Sequence, residues 1–521
     1  MREIANDDQE HSTAPESAAK DDSLESMNSS ERNLPCDINS TGRVDASNGA
    51  SSRLPLVMLG AMVVIAAILR IIAAHNDLWL DEIISLDFVN GVKSPWQIFA
   101  AIHSDNNHYL NSLYLYFLKN QDDPVRDRLL SVLFGVCLIP AGYWLLARRS
   151  RVQGVILAGF LAFSYPLIHF SSEARGYAGA LLGTVLACAA LTRWLTTAEG
   201  NEPSFWLGFA YGASLVLAML SHLTACLIWL PLTVGSLFVV LRKHGRRKAV
   251  VAWTGLNLLP AGVLAALYLV DLRFMKQLGG APLNPLYGLG RILAIGLGWP
   301  LRDAVLPWLL VGLLAAIAAW QLATARKSNE PLFMLLPLIY LVPIASALVL
   351  IHTQFFSPRY FLLVLPFVYV GAAMLLARLF DTPARKAVLA AAVLLFLSGQ
   401  MFLYAKFLQV GRGQFTAALD YIKAHTASTR LIVTSNQDFR SQVELTYYGP
   451  RIFRNWEIFY VPKGSVAIQP DWYILHREGY EQPGPETLNV PGQPTWYRVA
   501  YFGASELSGQ AWTIYAHQPI K

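Results

Sequence analysis

The chain has 521 residues, of which 54% are hydrophobic, 12% aromatic and only 15% charged. Because soluble proteins carry roughly 25% charged residues, this composition excludes an ordinary soluble enzyme and indicates an integral membrane protein. The formal net charge of +6 does not indicate nucleic-acid binding, since the basic residues stand in short clusters between apolar runs. The four cysteines show no CxxC spacing, so they predict neither a disulfide framework nor a zinc site.

Residues 1–53 form a polar tail with eleven acidic and five basic side chains. Such a segment cannot bury enough apolar surface to fold, so we predict a disordered acidic tail on the cytoplasmic side. Because the first apolar run starts only at Leu54, we do not expect the tail to be a cleavable signal peptide.

Apolar runs long enough to cross a bilayer, which takes about 20 residues, recur between residues 54 and 408 and predict an all-α polytopic membrane domain. We predict eleven spans, at residues 54–75, 129–147, 152–170, 177–195, 205–221, 223–241, 249–270, 304–322, 331–351, 360–379 and 387–405.

Four basic clusters orient these spans. They are Arg148-Arg149 with Arg151, Arg242 to Lys248, Arg326-Lys327, and Arg385-Lys386. If the N-terminus is cytoplasmic, eleven spans place all four clusters on the cytoplasmic side, as the positive-inside tendency requires. A twelfth span at "HYLNSLYLYFLK" (108–119) would reverse every later cluster, so we predict that this stretch is a short interfacial helix in the first external loop, residues 76–128.

The same topology gathers the chemically distinctive stretches on the external, periplasmic face of the membrane. They are Asp81-Glu82, His108, "SSEARGY" (171–177), "SHLT" (221–224), "SPRY" (357–360) and the C-terminal segment. That segment, residues 409–521, combines a helical apolar pattern with strand-like runs such as "RLIVTS" and "WYRVAYF", which predict a small external α/β domain. We expect the 271–303 loop, rich in Gly and Pro, to be partly re-entrant or a lid.

Two adjacent carboxylates, Asp81 and Glu82, follow Trp79 at the end of the first span. An interfacial tryptophan with solvated acids would explain them structurally. In a catalytic interpretation one carboxylate is a general base that takes a proton from an acceptor hydroxyl, and the neighbour orients it or binds sugar hydroxyls. The pair could also hold a divalent cation.

Arg175 lies at the external junction of two spans, where a guanidinium needs an anionic partner. Glu173 could be that partner. Alternatively, Arg175 and Arg359, with the adjacent Tyr360, form a pocket for a lipid phosphate head group.

Arg128 and Lys93 are interpreted as markers of the interface, and His108 and His222 as packed or hydrogen-bonded residues that are not metal ligands. No P-loop or dinucleotide fingerprint is present, because "GRGQF" (411–415) follows no strand. An external site would therefore need a substrate delivered in the lipid phase.

Six stretches resemble a known group in residue content and order. They are "LWLDEIIS", "NNHYLNSLYLYFL", "DRLLSVLFGV", "FSSEARGYA", "LSHLTA" and "SPRYFLLVLP". They are similar to integral membrane glycosyltransferases of the GT-C fold, in the protein O-mannosyltransferase and aminoarabinose-transferase group with its RgtA/B/C/D-like, glycosyltransferase family 39-like relatives. Two motifs depart from the group's pattern: "HPPLYY" becomes "HYLNSLYLY" and "ARPY" becomes "ARGY".

The resemblance implies a catalytic acidic pair at Asp81 and Glu82, with an Asp as base, and Arg175 corresponds to the arginine of the group's "REARPY"-like stretch. It implies a polyprenyl-phosphate sugar donor and transfer with inversion at the anomeric carbon to a glycan, lipid or protein hydroxyl. The predicted donor site comprises Arg175, Arg359, Tyr360, Tyr177, His108 and His222. The expected location is the inner membrane, with the site on its outer face, and no cofactor is required.

Three alternatives remain open at this point. A polytopic lipid or solute transporter fits the span count, although transporters usually place charges near the midplane and show paired repeats. The other two are a polymerase or ligase of lipid-linked glycans and a non-catalytic assembly partner that acts through its C-terminal domain.

Overall fold

A computed structural model provides the structure of the chain. It describes residues 46–118, 123–197, 204–243, 246–275, 284–299, 304–325, 330–349, 358–465, 468–478 and 482–518. Several sequence predictions fall outside these residues: the tail up to residue 45, the Arg326-Lys327 cluster, Ser357, and the Gly279-Gly280, Pro282 and Pro300 positions of the 271–303 loop.

Helices account for nearly all of the described chain up to residue 410. They are α1 (Ala46–Ala73), α2 (Leu80–Gly91), α3 (Gln97–Ala100), α4 (Tyr109–Leu118), α5 (Pro124–Ala147), α6 (Arg151–Phe163), α7 (Tyr165–Ser171), α8 (Tyr177–Thr197), α9 (Phe205–Ser221), α10 (Cys226–Lys243), α11 (Arg246–Val270), α12 (Pro285–Gly296), α13 (Leu306–Ala325), α14 (Pro331–Val349), α15 (Leu365–Leu376) and α16 (Pro383–Val410). Short 3-10 turns occupy Leu223–Ala225, Leu272–Phe274, Pro358–Val364 and Ala377–Phe380.

Within the described residues, nine helical segments are long and apolar enough to cross a membrane. A tenth candidate is the pair α6 and α7, whose axes differ by 59°, and the 17-residue α9 is an apolar helix just below the span length. Each of the eleven predicted intervals coincides with one of these segments or with the α6–α7 pair, so the prediction of a polytopic all-α membrane domain is confirmed.

The bend between α6 and α7 has a local cause. Pro166 follows the break, and Ser164 has extended backbone angles, so the helical hydrogen-bond ladder stops there. The buried Arg70 of α1 donates to the carbonyls of Leu161 and Ala162 at 3.0 and 3.1 Å. These bonds satisfy backbone groups that the break releases inside an apolar environment.

Residues 76–128, predicted to be the first external loop, contain the short helices α2, α3 and α4. The stretch 108–119 becomes the ten-residue α4, too short to cross. The 271–303 loop contains α12, a buried twelve-residue helix that starts at Pro285 and is capped by the side chain of Asn284.

Residues after α16 form the predicted α/β domain. Its helices are α17 (Phe415–Ala424) and α18 (Asp438–Ile452), and its strands are β1 (Arg430–Ser435), β2 (Glu457–Tyr460), β3 (Trp472–Glu478), β4 (Thr487–Leu488), β5 (Trp496–Phe502) and β6 (Gln510–Ala516). The sheet has the order β2-β1-β3-β6-β5-β4, in which β1 is parallel to β2 and β3 and the other pairs are antiparallel. Helix α18, β2 and β4 were not predicted.

The C-terminal domain shares a hydrophobic core with the segment around α2. Buried Leu78 and Ile83, at the start of α2, belong to the same cluster as Phe415, Leu419 and Ile514 of the domain. Burial of such side chains contributes roughly 1.5–3 kcal/mol each, so α2 is fixed against the domain rather than exposed above the membrane.

Candidate functional site

Asp81, in the first turn of α2, lies between two arginines that are distant in the chain. Its Oδ2 atom accepts a hydrogen bond from Nη1 of Arg175 and lies 3.0 Å from Nη2 of Arg359. The Asp81 side chain is 18% exposed, so a ligand can reach the carboxylate. The structure therefore brings together the predicted base and both predicted donor-binding arginines.

Trp79 forms an aromatic surface beneath both guanidinium groups. The Cζ atoms of Arg175 and Arg359 lie 5.6 and 5.2 Å from its ring centroid, within the range of cation–π attraction. The Trp79 side chain is buried, so this contact surface for the two arginines is shielded from solvent.

Two histidines and two tyrosines pack in the same cluster as Arg175 and Arg359. The His108 ring stacks on His222 with centroids 4.6 Å apart, and Tyr177 lies 4.4 Å from His222. The ring centroid of Tyr360 lies 6.5 Å from that of His222. The hydroxyl of Tyr177 is buried and finds no hydrogen-bond partner among the described residues.

Both histidines are neutral. Burial lowers the pKa of His108 well below its ordinary value, and the charge of Arg175 lowers it further. The pKa of His222 is lowered by burial and by Arg175 and Arg359. With one carboxylate, two guanidinium groups and neutral imidazoles, the cluster around Asp81 has a net positive charge.

Glu82 does not face the same space as Asp81. Its side chain is fully buried, and its two oxygens accept four hydrogen bonds: two from Arg128 at 2.8 and 2.6 Å, one from the Ala174 amide at 2.7 Å and one from the Trp79 amide at 3.2 Å. Both carboxylate oxygens of Glu82 are thus bonded to protein donors. Its contacts fit the orienting role.

The interpretation of Arg128 as an interface marker is also wrong. This buried residue of α5 binds Glu82 in a bidentate manner and donates to the carbonyls of Ala74, Asn76 and Asp77 at 2.8, 2.6 and 2.9 Å. Arg128 thus holds the segment that leads into α2 and sets the position of Asp81.

Glu173 is not the partner of Arg175. Its Oε1 atom instead accepts from Nε of Arg412 at 3.1 Å and from the hydroxyl of Ser508. The charge of Arg175 is therefore left for Asp81 and for a ligand.

The carboxylates of Asp81 and Glu82 contact different guanidinium groups: Asp81 contacts Arg175 and Arg359, and Glu82 contacts Arg128. Among the residues that the structure describes, no group of three or more His, Cys, Asp or Glu side chains is arranged to hold a metal ion.

Sequence reasoning missed the roles of Trp79, Arg128 and Arg412. A usable signal existed for Arg128, which stands at a predicted span end, where an arginine needs a partner. No comparable signal existed for Arg412, because its partners lie more than 200 residues away.

No protein-family model matches the chain, and no curated protein matches it significantly. Solved structures do match. The crystal structure of ArnT from Cupriavidus metallidurans in the apo state has a TM-score of 0.50 at 11% identity and covers 90% of this chain and 98% of that chain. ArnT bound to undecaprenyl phosphate has a TM-score of 0.48 at 12% identity, covering 89% and 98%.

The apo oligosaccharyltransferase from Archaeoglobus fulgidus has a TM-score of 0.46 at 12% identity, covering 79% of this chain and 64% of that chain. At such identities the likeness concerns the fold. The architecture shared with apo ArnT over nearly its whole length shows that this multi-pass membrane protein has the GT-C fold.

Proposed function

We propose that the protein is a membrane glycosyltransferase that moves a sugar from a polyprenyl-phosphate donor to an acceptor hydroxyl at the outer face of the inner membrane. The observation that carries this proposal is the position of Asp81 between Arg175 and Arg359. The GT-C fold is consistent with it, and so is the resemblance of the motifs that contain these residues.

The charge of the cluster suits a phosphate. Two guanidinium groups with one carboxylate leave a net positive charge, and planar guanidinium groups bind phosphate oxygens through paired hydrogen bonds. Asp81 is the anion that both guanidinium groups contact in this structure, and a donor phosphate would compete with it. Donor binding would draw Arg175 and Arg359 to the phosphate and release the Asp81 carboxylate for proton transfer.

The reaction is an inverting displacement. The acceptor oxygen forms a bond to the anomeric carbon while the bond from that carbon to the phosphate oxygen breaks. The acceptor proton passes to Asp81, and the bonding electrons leave with the polyprenyl phosphate, whose developing negative charge Arg175 and Arg359 stabilise. Glu82 and Arg128 hold the base in position, and His108 fixes Arg175.

The sugar and acceptor can be found by mass spectrometry of glycolipids and cell-surface glycans from a strain that lacks the protein. We expect one sugar modification to disappear and its lipid carrier to accumulate. Complementation with wild-type protein should restore the modification, and Asp81→Asn should not. Full restoration by Asp81→Asn would contradict the assigned base.

A second assay separates transfer from transport. Purified protein in proteoliposomes, supplied with the accumulated carrier and its acceptor, should release free polyprenyl phosphate. Movement of an unmodified carrier across the bilayer without release would favour the transporter alternative.

A further inference from the structure

We propose that Arg412 is a positioning residue that holds the Glu173 carboxylate away from Arg175 and so keeps the Arg175 charge available to the donor phosphate. This inference rests on the proposed function. It assigns a role to the "GRGQF" stretch and to the C-terminal domain.

The guanidinium of Arg412 is fully buried and joins two segments of the site. Its Nε donates to Glu173 at 3.1 Å, and its Nη2 donates to the His169 carbonyl at 2.6 Å and to the Ser172 hydroxyl at 2.9 Å. Its Nη1 donates to Asn76 Oδ1 at 2.9 Å. Asn76 precedes Asp81, and Glu173 precedes Arg175, so one side chain contacts the segments that carry the base and the donor arginine.

The backbone on both sides of Arg412 fixes the position of its side chain. Gly411 and Gly413 have backbone φ angles of 60° and 156°, which residues with a side chain rarely adopt. The chain therefore turns sharply on both sides of Arg412. The Arg412 carbonyl accepts from the Gln510 amide at 2.9 Å. A Cβ at Gly509 would lie 1.8 Å from that carbonyl oxygen, so the C-terminal domain packs directly against Arg412.

Glu173 is ionised. Burial would raise its pKa, but hydrogen bonding to His169 and the charge of Arg412 outweigh burial and lower the pKa below its ordinary value. Its Oε1 also accepts from the Ser508 hydroxyl, whereas its buried Oε2 has no partner among the described residues. A buried carboxylate of this kind requires a nearby cation.

Arg175 is a further cation whose charge interacts with Glu173. The Arg175 amide donates to the Glu173 carbonyl at 2.8 Å, so the two side chains start from neighbouring backbone. Burial lowers the pKa of Arg175, but Asp81 and Tyr177, with a smaller contribution from Glu173, raise it above its ordinary value. Without Arg412, the uncompensated carboxylate would compete with Asp81 and with a phosphate for this guanidinium.

The test uses the full-length protein purified in detergent, with undecaprenyl phosphate as the probe and its Kd measured by microscale thermophoresis. We expect Arg412→Met to weaken binding roughly 10- to 100-fold, because the uncompensated Glu173 carboxylate then competes for Arg175. Arg412→Lys keeps a cation beside Glu173 and should bind the probe more tightly than Arg412→Met does. The double variant Arg412→Met with Glu173→Gln removes the competing carboxylate and should regain most of the affinity.

Arg291→Met is the matched control. Arg291 of α12 is another buried arginine that pairs with the C-terminal domain, through Glu506 at 2.9 and 3.1 Å. It should leave the Kd unchanged.

The inference is overturned if Arg412→Met binds like wild type, or if the double variant binds as weakly as the single one, since Arg412 would then act only through packing. If Arg412→Met is not monodisperse on size-exclusion chromatography, the test relies on the double variant Arg412→Met with Glu173→Gln. A double variant that folds and binds the probe supports the inference, and one that also fails to fold contradicts it. A wild-type protein that does not bind the probe would remove the proposed function itself.

Discussion

The Nε2 atom of His108 accepts hydrogen bonds from Nε and Nη2 of Arg175, at 3.1 and 2.9 Å. A nitrogen that accepts a hydrogen bond from a guanidinium cannot carry a proton. His108 is therefore neutral, and its single ring proton is on Nδ1. Protonation of His108 would place two cations in contact and break the bond that orients Arg175.

This relationship predicts a pH dependence of stability. The pKa of His108 is lowered in the folded protein by burial and by Arg175, so the unfolded chain binds the proton first as the pH falls. The stabilisation is present above the ordinary pKa of about 6.5 and is lost progressively below it. The pKa of His222 is lowered as well, so His222 adds to the loss of stability on acidification.

The measurement is the unfolding temperature in detergent between pH 8 and pH 5. His108→Gln keeps an acceptor without a titrating group and should lose less stability than wild type on acidification. His425→Gln, at an exposed position of the C-terminal domain, should show the wild-type profile. Equal pH profiles for wild type and His108→Gln would contradict the prediction.

Asp81→Asn should abolish most of the transfer activity while leaving the fold intact. The amide is close in size to the carboxylate but cannot accept a proton, and general base catalysis typically supplies about 10²–10⁴-fold. The initial rate of polyprenyl phosphate release measures the effect. Asp87→Asn changes an exposed carboxylate on the same helix and should retain the wild-type rate.

Arg359→Lys should impair donor binding although the positive charge is kept. Arg359 interacts with Asp81 through Nη2 and lies over Trp79, and its buried Nε has no partner among the described residues. The ammonium group of lysine cannot reproduce a planar, two-nitrogen contact to a phosphate. We expect a rise of about 10-fold in the KM for the donor with a smaller change in kcat. The exposed Arg126→Lys serves as the control, and an unchanged KM would argue against a phosphate contact.

The buried pair of Glu82 and Arg128 should matter for stability far more than a surface pair. Arg128→Met leaves the Glu82 carboxylate buried without its cation, which costs roughly 3–5 kcal/mol. Arg149→Met breaks an exposed pair with Glu330 and should cost about 0–1 kcal/mol. Unfolding temperatures of the purified variants compare the two costs, and similar losses would show that Arg128 is not structurally important.

The fold was largely predictable from sequence because membrane spans have a strong local signal. An apolar run of about 20 residues must be a helix in a bilayer, so every predicted span found a helical counterpart. The broken α6–α7 segment was harder, since Ser164 and Pro166 interrupt an otherwise continuous apolar run. Helix α18 was missed because several of the residues that it buries at helical spacing, among them Ser441 and Glu444, are polar.

The site was predictable only in part. Asp81, Arg175 and Arg359 share a predicted side of the membrane, which was enough to expect them together. Glu82 shows the limit of that reasoning: adjacent helical residues point in directions about 100° apart, so one carboxylate faces the cluster and the other is buried. That division, like the contacts of Arg412, depends on tertiary packing that no local pattern records.

The external location of the site is the remaining topological prediction, and cysteine labelling tests it. On a background without native cysteines, Arg454→Cys places a thiol at an exposed position of the C-terminal domain, and Lys386→Cys places one at the start of α16. The positive-inside tendency assigns Lys386 to the cytoplasm and therefore Arg454 to the periplasm. In intact spheroplasts a membrane-impermeant maleimide should label Arg454→Cys, and it should label Lys386→Cys only after lysis. The reverse pattern would place Asp81 on the cytoplasmic face, where soluble nucleotide sugars are present and a lipid-linked donor would not be required.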